Sequence, residues 1–176
     1  MGVPFEYLYT LKDQILVLAR EHDQWIAPLV FILGFCESIA LVSLFVPSTI
    51  LFLGIGAIHS AAGGEFVPVW LAGAAGALIG DIVSYLIGLY FKDSINTVWP
   101  FKKYPSLIGK AKDLDRKWGA IAMVGSKFLG MLRPFAPVMA GTIAMPWERF
   151  LLASAAGSLL WAGAFLAPGY GLTLFQ

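Results

Sequence analysis

Hydrophobic and polar positions follow two patterns in this chain: short amphipathic stretches of helical period, and long apolar runs broken by proline. In the first stretch Phe5, Leu8, Ile15, Leu16 and Ala19 recur at roughly helical spacing with charges between them. That pattern predicts an interfacial helix over about 5–24. A second such face, Tyr104, Leu107, Ile108, Ala111, Leu114 and Trp118, is backed by Lys103, Lys110, Lys112, Asp113, Arg116 and Lys117. Pro105 suits the first turn of that helix. Each amphipathic stretch precedes an apolar region of the wrong length for a simple crossing, which takes about 20 residues. The first, 25–62, is interrupted at Pro47, Ser48 and Thr49, and its second leg ILFLGIGAIHS is too short to cross. The second, 119–146, breaks at Arg133 and Pro134 into two short legs, with Pro137 and Gly141 in the latter. Re-entrant helical hairpins account for both lengths.

After each hairpin comes one segment of spanning length, 66–91 and 149–172. Within these, AGAAGALIGD at 72–81 aligns without gaps to ASAAGSLLWA at 153–162, with five identities. Interfacial helix, hairpin and spanning helix therefore occur twice. Because each unit crosses once, the second copy is expected to be inverted, an arrangement common among transporters. The expected architecture is an all-α integral membrane domain over 1–176. Repeat 1 occupies about 5–91, a loop carrying the second amphipathic helix covers 92–118, and the second hairpin and transmembrane helix follow.

Composition agrees: 59% of residues are apolar, 13% are charged and mean hydropathy is +0.77, far from the average soluble domain. A net charge of +1 gives no reason to expect nucleic acid as a partner. Seven of the twelve Lys and Arg fall between 92 and 117 against three acids, so that loop is expected to be cytoplasmic. Charges through the first 24 residues argue against a cleaved signal peptide. Cys36 is the single cysteine, which excludes an intrachain disulfide and a thiolate metal cluster. His22 and His59 form no metal-ligand pattern. No cofactor is expected.

The candidate chemistry rests on four charges embedded in apolar sequence. Lys127 and Arg133 are cations beside broken backbone, and a cation near the bilayer centre costs at least ~2.5–3.5 kcal/mol. Arginine presents a planar fork that grips two phosphate oxygens, and lysine adds a point charge. The pair reads as a site for an anionic headgroup, or alternatively as a snorkelling Lys127 and an Arg133 paired with Glu37. Glu37 and Asp81 are the embedded acids, either proton carriers or static partners of the two cations. Gly73, Gly76 and Gly80 form a small-residue face suited to close helix packing, which equally permits a homodimer. Catalysis is not expected. Lipid phosphatases of the acid phosphatase type place six residues between a lysine and Arg-Pro and then require two histidines. Here five residues separate Lys127 from Arg133, and no histidine follows His59.

The run SKFLGMLRPFAPVMAGTIAMPWERFLLASAAGSLLW, preceded by Glu37 with LFVPSTILFLGIGAI and then GALIGDIVSYLIGLYF, closely resembles the DedA family, also called the SNARE-associated or VTT-domain family. The resemblance covers roughly 25–172 and is nearest to the YabI-like branch of bacterial inner-membrane members. It implies paired re-entrant hairpins in an inverted repeat. It also implies translocation of a lipid phosphate such as undecaprenyl phosphate, or of a phospholipid, with dependence on proton-motive force. On that resemblance the family's embedded glutamate falls on Glu37 and its two basic residues on Lys127 and Arg133. Many members carry a second acid after the first-hairpin proline, where this chain has Ser48 and Thr49, leaving Asp81 as the substitute. The expectation is a flippase-like or scramblase-like membrane protein in which Pro47, Ser48, Thr49, Pro134, Pro137 and Gly141 line the headgroup path. The alternative is a proton-coupled ion or small-solute transporter.

Overall fold

The structure is a computed structural model that describes residues 14, 17, 21–39, 48–92, 113, 117–129 and 133–172, with 48–50 and 172 described by their backbone alone. Most of the interfacial helix expected over 5–24, Pro47, and most of the basic loop and its amphipathic helix lie outside these residues. Among the described residues every element is an α-helix: α1 (Asp23–Ser38), α2 (Ser48–Ala61), α3 (Phe66–Tyr90), α4 (Ala120–Ser126), α5 (Phe135–Thr142) and α6 (Trp147–Leu172). Among the described residues, α3 and α6 are the helices long and apolar enough to cross a bilayer. At 1.5 Å per residue, α4 and α5 reach only about 10–12 Å, well short of a ~30 Å hydrocarbon core.

Local sequence explains where the helices start and stop. Pro134 caps α5 and Pro137 falls in its first turn, where the missing N–H groups have no intrahelical partner to lose. At the end of α2 the amides of Gly63 and Gly64 donate to the carbonyls of Ser60 and His59, and Gly63 takes a φ of 86°. The end of α5 repeats this turn: Ala144 and Met145 donate to Gly141 and Ala140. Both are Schellman closures, but the left-handed position in the second is Ala144, at a φ of 54°.

Glycine decides which helices touch. α1 runs alongside the middle of α3, from Gly73 to Ser84. A Cβ on Gly76 would collide with the Phe31 carbonyl, and one on Gly80 with the Phe35 carbonyl and Ser38. The small-residue stripe of α3 is thus taken up by α1. Towards the C-terminal end of α3, Gly88 abuts the backbone of Val138, and Gly141 that of Tyr85. On α6 the corresponding contacts are Gly56 against Leu166 and Gly169 against Leu53, while Gly157 meets Val124 and Lys127. α3 and α6 lie antiparallel: the Trp70 indole N–H donates to the Leu159 carbonyl at 2.9 Å, and Ser154 bonds Asp81.

Two apolar cores result. One gathers Val30, Phe52, Val69, Ala74, Ala77, Trp161, Ala162 and Leu166. The other gathers Tyr85, Met123, Ala140, Met145, Phe150 and Ala153. Beyond the first core a polar clasp ties helix ends together. His59 Nε2 lies 2.6 Å from Asp23 Oδ1, its Nδ1 meets the Tyr170 hydroxyl, and that hydroxyl donates to the Glu65 carbonyl at 3.2 Å.

Candidate functional site

Between the two cores, along both α3 and α6, lies a layer of buried polar side chains. Glu37, Ser38, Asp81, Ser84, Lys127, Arg133, Ser154 and Ser158 are all buried. Glu37 and Ser38 sit at the last turn of α1, and Asp81 and Ser84 share one face of α3 a turn apart. Ser154 and Ser158 occupy consecutive turns of α6, while Lys127 follows the end of α4 and Arg133 precedes Pro134 at the start of α5. Short helices ending in mid-molecule thus deliver Glu37, Lys127 and Arg133, and the long helices supply the rest.

The four charges form two ion pairs of unequal quality. Lys127 Nζ pairs with Asp81 Oδ2 and donates to Ser158 Oγ at 2.9 Å. Ser154 donates to the same Asp81 oxygen. Arg133 Nη1 lies at ion-pair distance from Glu37 Oε1. Among the described residues, Arg133 Nε and Nη2 and Glu37 Oε2 are buried without a hydrogen-bond partner, as are Asp81 Oδ1 and Ser38 Oγ. The guanidinium instead rests on an aromatic face, with Cζ 3.5 Å from the centroid of the Trp161 ring. Ser84 donates to the Ser38 carbonyl at 2.9 Å and so anchors the end of α1. Lys127 is thus held by hydrogen bonds on two sides, whereas Arg133 meets its carboxylate through Nη1 and keeps Nε and Nη2 without a hydrogen-bond partner. Buried donors left without acceptors are costly, and an anion with more than one acceptor oxygen in reach would satisfy them.

The structure brings Glu37 to Arg133 and Asp81 to Lys127. Pro134 and Pro137 are buried, Gly141 packs on α3, and Ser48 and Thr49 begin α2. Pro47 lies outside the described residues, so nothing tests its place on a headgroup path. Sequence reasoning did not single out Trp161, Ser154 or Ser158 as site residues. The serines carried a readable signal, since they are the polar residues at i and i+4 of an apolar spanning segment. Trp161 carried none, because a tryptophan inside an apolar helix reads as packing. Among the described residues no cluster of three or more His, Cys, Asp or Glu is placed to hold a metal ion.

Residues 46–171 match the family profile described as the VTT domain. The chain is 36% identical over 148 residues to an uncharacterized membrane protein of Buchnera aphidicola from Schizaphis graminum, covering 83% of this chain and 59% of that one. It is 34% identical over 141 residues to the inner membrane protein YabI of Escherichia coli K12, covering 80% and 55%. It is also 27% identical over 169 residues to protein DedA of the same organism, covering 94% and 77%. The chain spans little more than half the length of the first two of these relatives. No solved structure matches it.

Proposed function

This chain belongs to the VTT-domain, or DedA, family of membrane proteins, in its YabI-like branch, and we propose that it carries the phosphate headgroup of a membrane lipid between leaflets. The observation that supports this most is the state of Arg133, a buried guanidinium whose Nε and Nη2 have no hydrogen-bond partner among the described residues. Its ion-pair partner, Glu37, reaches it through Nη1. A lipid phosphate that displaces Glu37 supplies the bidentate acceptor that this fork is shaped for. The lipid tail stays in hydrocarbon, so the barrier to be lowered is desolvation of the headgroup.

Charge counting extends the proposal. Two acids and two bases leave the layer neutral, so an arriving phosphate monoanion leaves one excess negative charge in a poorly solvated region. Protonation of the displaced Glu37 restores neutrality, which makes Glu37 the proton carrier and links transport to a proton gradient. Asp81 stays with Lys127, whose role is to hold the layer together.

The packing supports the inverted-repeat reading. α1 lies on α3 as α4 lies on α6, and α2 lies on α6 as α5 lies on α3. The offset of the sequence match, which carries residue 72 to 153, also carries Tyr85 to Leu166 and Gly88 to Gly169. Those residues make matching glycine contacts with α5 and α2. In this reading both hairpins are re-entrant, enter from opposite faces of the bacterial inner membrane and meet at the polar layer. The basic loop 92–118 is then cytoplasmic. The protein is a transporter without enzymatic activity.

Flipping of a fluorescent polyprenyl phosphate and of a fluorescent phospholipid in reconstituted vesicles, with and without a pH gradient, tests this. Arg133→Ala is expected to reduce transport to the rate of empty vesicles, and Glu37→Gln to abolish the response to the gradient. Wild-type protein that accelerates neither lipid but moves a small solute with protons would replace this function with solute transport.

A further inference from the structure

We propose that Trp161 is the positioning residue of the anion site, holding the Arg133 guanidinium in place while Glu37 is exchanged for the lipid phosphate. This rests on the phosphate-binding role given to Arg133 above. With Cζ 3.5 Å from the ring centroid, the guanidinium sits over the face of the indole at stacking distance. The N–H bonds lie in the guanidinium plane. Stacking therefore attracts the cation while leaving its donor edge free. A carboxylate does the opposite, neutralising the charge by occupying that edge. Of the two contacts, Glu37 must leave when phosphate arrives, and Trp161 stays.

Trp161 is built to stay. It is 1% exposed and packs against Phe52, at a centroid distance of 4.7 Å, and Phe165, at 5.6 Å. Its position on α6 is set by the core around Ala162 and Leu166. In the internal alignment its counterpart is Gly80, which packs against α1. The indole is therefore peculiar to one side of the layer, the side that holds Arg133.

Binding of a short-chain lipid monophosphate to the purified protein in detergent tests this, with inorganic phosphate and the phosphate-free diacylglycerol as comparison ligands. Trp161→Leu is expected to weaken binding about ten- to thirtyfold, and Trp161→Phe, which keeps a flat face, to weaken it less. Val30→Ala disturbs the same core where α1 meets Gly73 of α3 and is expected to bind as wild type does. A thermal-unfolding cycle of Trp161→Leu with Arg133→Met is expected to be non-additive. Equal affinities in Trp161→Leu and Val30→Ala, or an additive cycle, would overturn the assignment. Inorganic phosphate binding as tightly as the lipid monophosphate, with the same loss in Trp161→Leu, supports the positioning role but points to a free anion as cargo. If the binding shift holds while vesicles show no flipping, the transport function falls and the role of Trp161 stands. Wild-type protein that binds no phosphate ligand overturns both.

Discussion

Removing one charge from the central layer leaves its partner buried and uncompensated, and that is the largest single-residue effect expected in this molecule. Lys127→Met strands Asp81 and is expected to cost about 3–5 kcal/mol of stability, measured by denaturation in detergent. Adding Asp81→Asn is expected to restore most of that loss, because the neutral pair is cheaper to bury. A double variant as unstable as the single one would show that Lys127 acts through something other than this pair. The need for partners was legible in the sequence, since an acid or a cation in apolar sequence is too expensive to leave alone. Which acid meets which cation was not. Glu37 and Asp81 lie on different helices, and neither the spacing to Lys127 nor that to Arg133 encodes a contact across the bundle.

At the level of elements, periodicity and proline carried most of the information. Apolar length marked α3 and α6 as the long helices, and the prolines at 134 and 137 marked the start of α5. The turns that close α2 and α5 were less legible. Gly63 supplies the left-handed residue in the first, but the second uses Ala144, which nothing in the sequence flags. An L-residue there carries a cost of roughly 1–2 kcal/mol that glycine avoids. Ala144→Gly is therefore expected to raise stability by about 1 kcal/mol, read as a higher unfolding temperature. The expectation fails if the temperature is unchanged or falls. Gly80→Val is expected to do the reverse and separate α1 from α3, because its side chain would occupy the space of the Phe35 carbonyl and Ser38.

For the whole molecule, an outer surface bearing exposed Leu152, Ile121, Leu160 and Leu129 suits a hydrocarbon surround, and the polar layer lies between two apolar cores. In this closed arrangement Ser84→Cys, placed in a Cys36→Ser background, is expected to resist membrane-impermeant thiol reagents from both faces. It is expected to react only while lipid phosphate is turning over. Rapid labelling from one face without substrate would mean that one core is not a seal. Class, helix lengths and the presence of costly embedded charges were determined by the sequence alone, because each follows from local hydropathy, backbone geometry and the price of desolvation. Only the tertiary structure decided that Glu37 answers Arg133, that Asp81 answers Lys127 and that Trp161 lies beneath the guanidinium. Those choices depend on how the helices cross, which is set by glycine contacts between segments far apart in the chain.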